Sequence, residues 1–402
     1  METRRLGIWL VGAFGGVGTS IALGLAALRR GLTSTTGLVT ELPKFRQLRF
    51  ASFDACVIGG HDVRRTSFCQ SAAELHKNSR VFSTELLAQC ATDLQEWSQN
   101  VRPGVLALSG RPVEQFADWH GTTGAKSSLD LIATLADDLA EFAHRHGLEH
   151  TVVLNVASSE PMVSIGPELE SWSRLEPALR DPGRHPIPAS SLYALAACRS
   201  RASYVNFTPS LGLDAPALEE CARQAGILYA GKDGKTGETL LKSVLAPMFL
   251  RRNLDVISWV GHNILGNRDG LVLQDPTNKQ GKLATKGRLL NEILGYEPQS
   301  LVSIEHVPSL ADWKIAWDHI HFQGFLGAKM SLQFIWQGCD SLLAAPLAID
   351  LVRWTDLAQC RGQTGCLTHL AAYFKSPMHV AEHDFFGQCQ LLTDYARSVG
   401  GE

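Results

Sequence analysis

A short apolar run, Leu6–Val11, passes directly into Gly12-Ala13-Phe14-Gly15-Gly16-Val17-Gly18-Thr19-Ser20, and Ile21–Leu28 then carries apolar residues at helical spacing. Strand, glycine turn and helix in immediate succession are the opening of a dinucleotide-binding fold. Glycines let backbone N–H groups approach a pyrophosphate, and the helix N-terminus adds partial positive charge. The glycines follow G-x-x-G-G-x-G rather than G-x-G-x-x-G, and a glycine turn can also serve no ligand. The stretch is not a signal peptide: four glycines interrupt Leu6–Val17 and no small-residue cleavage site follows an unbroken apolar core.

A fold of this kind needs an acid at the end of a neighbouring strand to hold a ribose hydroxyl. Two compete. Glu41 follows Leu38-Val39-Thr40, where a second strand should finish, and Asp62 follows Ala55–Ile58 and Gly59-Gly60, the end of a third. Spacing favours Glu41 slightly. Residues 64–150 read mostly as helices, Leu129–His144 being the clearest amphipathic stretch. Thr151–Val156 reads as a buried strand ending in Ala157-Ser158-Ser159-Glu160-Pro161, small residues where a cofactor would pass closely. Ser191–Cys198 reads as a helix, and Tyr204–Pro209 and Ile227–Ala230 as strands. Gly231–Thr239 then precedes a helix at Leu240–Phe249, as an anion cradle would, or as an ordinary N-capped helix would.

With 402 residues, 45% of them hydrophobic, the chain can bury two cores. Its net charge of −3, with signs mixed along the chain, argues against nucleic acid or a membrane surface as partner. No apolar run reaches the length of a membrane span. Nine cysteines without a C-x-x-C pair point to a reducing, cytoplasmic setting.

Past residue 242 the rhythm changes to longer strands. Leu254–Val260 leads into a polar run with two glycine turns, Leu265-Gly266-Asn267 and Asp269-Gly270, followed by Lys282 and Lys286. If that segment is helical, both ammonium groups share one face; a solvated face is the plainer alternative. In Asp312–Asp318, Trp313, Ile315 and Trp317 alternate with Lys314, which predicts a packed aromatic face with Lys314 on the other side. Met330, Leu332, Phe334 and Trp336 repeat the pattern, suggesting a mostly antiparallel sheet. Asp340-Ser341 caps a helix near Leu342–Val352, and Phe374-Lys375-Ser376-Pro377 adds a late lysine. His319 with His321, and His379-Val380-Ala381-Glu382-His383, have metal-like spacing, but the first lacks a complement and the second sits behind Pro377; surface histidines are the better reading and no metal is expected.

These blocks, taken in order, resemble the inositol-phosphate synthase family across nearly the whole chain. The matching blocks are the glycine turn, Gly60-His61-Asp62, Gly231–Gly237, Leu241–Leu245, His262–Asn267, Lys282 with Lys286, Asp312-Trp313-Lys314, Asp340–Ala344 and Phe374–Pro377. The resemblance implies an α/β fold: a Rossmann-type NAD-binding domain at 1–241, interrupted by an α+β catalytic and tetramerisation domain at 242–338, with 339–402 returning to the first. It implies Lys282, Lys286, Lys314 and Lys375 as catalytic lysines, with Asp269 and Asn267 beside them. Gly12, Phe14, Gly15, Gly16, Val17 and Gly18 would cradle NAD. Asp62 and Val63 would hold its adenosine end, overruling Glu41, and Ala157, Asp233 and Asp340 would lie along the cofactor. Thr236, Gly237, Glu238 and Thr239, with Arg268, would receive a hexose phosphate, and the enzyme would be a homotetramer.

The family reaction oxidises carbon 5 of open-chain glucose 6-phosphate with NAD, removes a proton from carbon 6, closes carbon 6 onto the aldehyde and re-reduces the ketone. An enolate and an alkoxide both place negative charge on oxygen, which fixed ammonium groups stabilise. A lysine that also moves protons has to come down from about 10.4 to near neutrality, at roughly 4 kcal/mol, so one lysine is expected to carry protons and the others to stay charged. Two departures touch the substrate. Glu238 stands where the family commonly has glutamine, opposing a phosphate if it faces one, and Arg268 stands where asparagine is usual. Rival readings are a cyclase of another sugar phosphate such as fructose 6-phosphate, a simple NADH-releasing dehydrogenase, and a non-catalytic NAD-binding regulator.

Overall fold

The computed structural model describes residues 4–119, 126–272, 274 and 289–400. In chain order the elements are β1 (Leu6–Val11), α1 (Gly16–Arg29), β2 (Cys56–Asp62), α2 (Phe68–Ser79), α3 (Thr84–Ser98), β3 (Val101–Pro103), α4 (Arg111–Phe116), α5 (Ser128–His146) and β4 (His150–Asn155). There follow α6 (Trp172–Leu179), α7 (Ala189–Ser200), β5 (Ser203–Asn206), α8 (Pro216–Ala225), β6 (Leu228–Gly231), α9 (Gly237–Arg251), β7 (Asp255–Leu265), α10 (Arg268–Val272) and β8 (Gln299–His306). The last are β9 (Trp313–Gln323), β10 (Lys329–Cys339), α11 (Asp340–Cys360), β11 (Gly365–Cys366) and α12 (Phe385–Gly400).

The first sheet has the order β11-β6-β5-β4-β1-β2-β3, with every pairing parallel. Read from β3 through β6 this is the 3-2-1-4-5-6 winding of a Rossmann-type sheet, whose strand order reverses between β1 and β4. Both strands are buried along their full length, as a sheet covered on both faces requires. Helix α5 starts on a reciprocal cap between Ser127 and Asp130 and ends on left-handed Gly147, which explains why its amphipathic pattern is so legible.

The second sheet has the order β10-β9-β7-β8, antiparallel except for the β7–β8 pair. One face packs on Ala246 and Phe249 of α9 and on Leu289, Leu290 and Ile293, with Trp259 and Ile320 buried beneath them. Helix α11 then returns to the first unit, contributing Ile349, Leu351, Val352 and Trp354 to its core, and β11 extends the first sheet.

Three expectations need correction. Leu38–Glu41 is not a strand: residues 39–41 form a 3₁₀ turn whose Val39 and Thr40 N–H groups donate to Asp350 on α11. The second strand is Cys56–Asp62. On β9 the alternation is right but the packed face is the other one: Ala316, Asp318 and Ile320 are buried, while Trp313, Ile315 and Trp317 stay half-exposed in the protomer. Helix α11 begins at Asp340, two residues before the expected apolar span, and has Cys339 at its N-cap position with no side-chain cap bond.

Candidate active site

A cavity of about 530 Å³ lies between the two sheets, and its walls bring together the glycine turn, the carboxyl ends of β2, β4 and β5, the end of β7, the start of β9 and the first turn of α11. This is the crevice at the strand-order reversal, where open α/β sheets bind ligands. Gly12 sits at φ +82, and a Cβ there would come within 2.7 Å of Ala157 Cα at the end of β4. The two chain segments therefore pass as closely as backbone allows. Gly15 is the N-cap of α1 and offers no side-chain cap, so the start of the helix lies uncapped at the cavity wall, as an anion cradle requires. Phe14, Gly16 and Val17 line it as well. Gly18 does not: it packs back on the carbonyl of Ala13, its Cβ position being 2.3 Å from that oxygen.

Asp62 ends β2 and lines the cavity together with Val63. Its Oδ2 accepts the Phe14 N–H at 2.7 Å and its Oδ1 the Arg64 N–H at 2.9 Å. Burial pushes its pKa up, and the Arg64 charge and these backbone donors pull it back. Glu41, the rival acid, instead pairs with Arg353 at 2.7 Å on the α11 side of the fold. Of the two candidate acids, Asp62 lines the cavity and Glu41 does not.

On the opposite wall, Lys314 Nζ lies 3.7 Å from Asp340 Oδ1, and Lys375 Nζ donates to Asp233 Oδ1 at 2.7 Å. All four residues line the cavity. Lys375 is brought there by a short antiparallel bridge: Lys375 N–H donates to Asp233 O, Lys235 N–H to Tyr373 O and Lys232 N–H to Ser376 O. Thr236 also lines the cavity and precedes α9 as its N-cap residue. Lys282 and Lys286 lie outside the described residues, as does the Asp269 side chain.

The remaining expected substrate residues are placed differently. Glu238 does not face the cavity. It is 1% exposed, its Oε1 lies 2.6 Å from Lys242 Nζ, and its Oε2 accepts from Asn263 Nδ2 at 2.6 Å. The reason is helical geometry: Glu238 and Lys242 are four apart on α9, on the face packed against β7. Gly237 and Thr239 also lie off the cavity wall; Thr239 is buried and Gly237 abuts Trp336. Arg268 lines the rim, but its guanidinium donates to Glu74 on α2 at 2.8 Å. Asn267 caps α10 by accepting the Gly270 N–H and donates to Asp312 Oδ1 at 3.1 Å.

Four residues escaped the sequence reading. Asp312 and Ser341 line the wall beside Lys314 and Asp340, with Ser341 Oγ donating to Asp312 Oδ1 at 2.9 Å. Both stood inside quoted blocks, so adjacency to a named residue was the available signal. Burial pushes Lys235 down, to about 8; Cys389 opposes the shift and Lys375 adds to it. It is not a cavity residue: its Nζ donates to Gln388 on α12. Glu160 is half-buried on the cavity wall, its carboxylate accepting from Ser190 at the start of α7, and desolvation pushes it up to about 7. Nothing in its spacing set it apart.

His379 pairs with Glu219 at 2.6 Å and His383 with Glu292 at 2.8 Å, in irregular chain rather than a helix. Among the described residues no group of three or more metal-ligating side chains is assembled, and no helix is long and apolar enough to cross a membrane.

Comparison with known proteins extends over the whole chain. A family model described as myo-inositol-1-phosphate synthase, in an NAD-binding class, matches residues 6–397. The chain is 33% identical to inositol-3-phosphate synthase 1 of Bacteroides thetaiotaomicron over 425 residues, covering 100% of this chain and 96% of that protein. It is 27% identical to inositol-3-phosphate synthase of Trypanosoma brucei brucei, covering 91% of this chain and 76% of that one. Among solved structures it is similar in fold to inositol-3-phosphate synthase from Caenorhabditis elegans, with TM-score 0.87 and 23% identity over 100% of this chain and 86% of that one. A myo-inositol-1-phosphate synthase-related protein from Thermotoga maritima matches with TM-score 0.76 and 25% identity, covering 98% of each chain.

Proposed function

The chain belongs to the myo-inositol-1-phosphate synthase family, and from that premise we propose that it is an NAD-dependent isomerase that cyclises glucose 6-phosphate to inositol phosphate. The observation that carries the proposal is a single cavity walled on one side by a dinucleotide turn and on the other by the Lys314–Asp340 and Lys375–Asp233 pairs. A regulator that only sensed NAD would have no use for that second wall.

The crevice fits NAD: the close approach of Gly12 to Ala157 leaves a backbone-lined slot, α1 opens toward it, and Asp62 closes its ribose end. When bound, NAD supplies a hydride acceptor for the first step and a hydride donor for the last. Asp62 and Val63 hold the adenosine end, and Ala157 and Asp340 flank the nicotinamide end. Thr236 at the start of α9 orients the substrate phosphate by its hydroxyl and the helix N-terminus. The Lys375 ammonium, held on Asp233, gives and takes protons at the oxygen of carbon 5. Lys314, with Lys282 and Lys286 completing the set, stabilises the oxyanions of enolisation and ring closure. Because Glu238 is turned into the core and Arg268 is engaged with Glu74, neither departure from the family pattern requires a different sugar phosphate.

The outer face of the second sheet supports a homotetramer. Ile335, Trp317 and His262 lie side by side across three strands, His262 stacks on Trp317 with ring centroids 5.6 Å apart, and Ile335 is 70% exposed. A row of this kind calls for a second copy to cover it. The divisions at 1–241, 242–338 and 339–402, and a reducing cytoplasmic setting suited to nine free cysteines, belong to the same reading.

Purified protein given NAD and glucose 6-phosphate should form a cyclitol phosphate while NADH stays at trace level. NADH released in step with product would instead mark a dehydrogenase, and turnover of fructose 6-phosphate alone would mark the altered cyclase.

A further inference from the structure

Asp312 sits in the turn immediately before β9, two residues before Lys314, and is 5% exposed. Four donors meet its carboxylate. Asn267 Nδ2 at 3.1 Å and Ser341 Oγ at 2.9 Å reach Oδ1; Cys339 Sγ at 2.7 Å and Ser341 N–H at 3.0 Å reach Oδ2. Its backbone is tied as well, donating to Ser79 Oγ on α2 at 3.1 Å and accepting the Asp340 N–H at 3.0 Å. Four donors fill the acceptor sites of a carboxylate, and a protonated acid would set one O–H against them, so the ionised form is the one this nest satisfies. Burial raises its pKa and the Cys339 hydrogen bond opposes that.

These bonds connect the two walls of the cavity. On one side, Asp312 and Lys314 both line the cavity, and Asp340, the partner of Lys314, hangs from the Asp312 carbonyl. On the other, the Ser341 hydroxyl that Asp312 holds fills the space in front of Gly16: a Cβ on Gly16 would come within 2.3 Å of Ser341 Oγ. Gly16 is the first residue of α1, in the cofactor turn.

We propose that Asp312 is a positioning residue that sets the separation between the cofactor turn at Gly16 and the Lys314–Asp340 pair, and so registers the nicotinamide end of NAD against the reacting sugar. The inference rests on the function proposed above. Displacing reacting groups by about 1 Å costs on the order of 100-fold in rate, so a residue that touches no reacting atom can still govern turnover. An amide cannot replace the carboxylate, because its single oxygen serves one side of the nest and its NH₂ opposes the donors on the other.

The test compares wild type with Asp312→Asn and the milder Ser341→Ala, which removes one donor and keeps the carboxylate. Two readouts are needed: turnover with the deuterium isotope effect from glucose 6-phosphate labelled at carbon 5, and the fluorescence of bound NADH. Asp312→Asn is expected to lower kcat about 100-fold with a larger isotope effect, to leave the NADH dissociation constant within about 3-fold, and to move bound-NADH emission toward that of free cofactor. Ser341→Ala should fall between. A merely structural role would reduce the active fraction without changing the isotope effect or the emission of the NADH still bound, and that result overturns the proposal. If wild type forms no cyclitol phosphate, the functional reading fails on its own, and the emission of bound NADH still decides the placement of Asp312: unchanged emission rejects it.

Discussion

Replacing Lys242 by methionine takes the ammonium away from a carboxylate that is 1% exposed and 2.6 Å from it. Removing one partner of a buried ion pair costs about 3–5 kcal/mol, because the remaining charge keeps its desolvation penalty and loses its compensation. Asn263 still donates to Glu238 Oε2, which places the expected loss toward 3 kcal/mol. With a urea slope of about 2 kcal/mol/M, the unfolding midpoint of the unit built on the second sheet should fall by roughly 1.5 M. The double variant Glu238→Gln/Lys242→Met removes both charges, keeps an oxygen for Asn263 to donate to, and should recover to within about 1 kcal/mol of wild type. Urea titrations of the four proteins followed by far-ultraviolet circular dichroism measure the cycle. The same cycle bears on function: with its carboxylate in the core, Glu238→Gln should leave KM for the sugar phosphate within about 3-fold. A Lys242→Met loss below about 1 kcal/mol, a double variant no more stable than the single, or a sharply lower KM on neutralising Glu238 would refute the reasoning.

Lys235, only 3% exposed, comes down from the ordinary lysine value of 10.5 to about 8, a cost of about 3 kcal/mol that stands in full below pH 8 and is relieved as pH rises from 8 to 10.5. Lys235→Met should therefore stabilise the protein by about 2 kcal/mol at pH 7, after the loss of one hydrogen bond to Gln388, and the advantage should shrink above pH 8; a destabilised variant at pH 7 counts against it. Glu160, raised from 4.5 to about 7, costs nothing below pH 4.5 and most above pH 7, so Glu160→Gln should gain up to about 3 kcal/mol at pH 8 and nothing at pH 4, as read from denaturation midpoints. Asp62→Ala removes a carboxylate that fixes the Phe14 N–H and stands 3.7 Å from Arg64 Nε. Fluorescence titration should show NADH binding weakened about 10- to 100-fold and the preference over NADPH reduced, and unaltered NADH affinity would remove Asp62 from the ribose site.

The parts of this fold that were legible in the sequence are those fixed by local chemistry. The glycine turn, the capped helix at Ser128–His146 and the period-2 strands each carry their signal within a dozen residues. What was not legible depended on partners far away in the chain. Leu38–Thr40 has strand-like residues, yet its N–H groups are claimed by Asp350, some three hundred positions on. Which face of β9 is packed was decided by α9 and residues 289–294, not by the greater apolarity of its tryptophans. The orientation of Glu238 hung on Asn263 and Lys242, and the lowered pKa of Lys235 on burial beneath α12. Lys314 and Lys375 were found because their blocks matched a family pattern; Asp312, which ties one of them to the cofactor turn, makes its contacts through residues scattered from Ser79 to Ser341.

The most direct measurement follows one hydrogen atom. Glucose 6-phosphate carrying deuterium at carbon 5, turned over with catalytic NAD in ordinary water, should yield inositol phosphate that keeps the label at the corresponding ring carbon, since the hydride taken at the start is handed back at the end. Deuterium collecting in a free NADH pool, or a product that has lost the label, would contradict a closed cycle of oxidation, ring closure and reduction in this cavity.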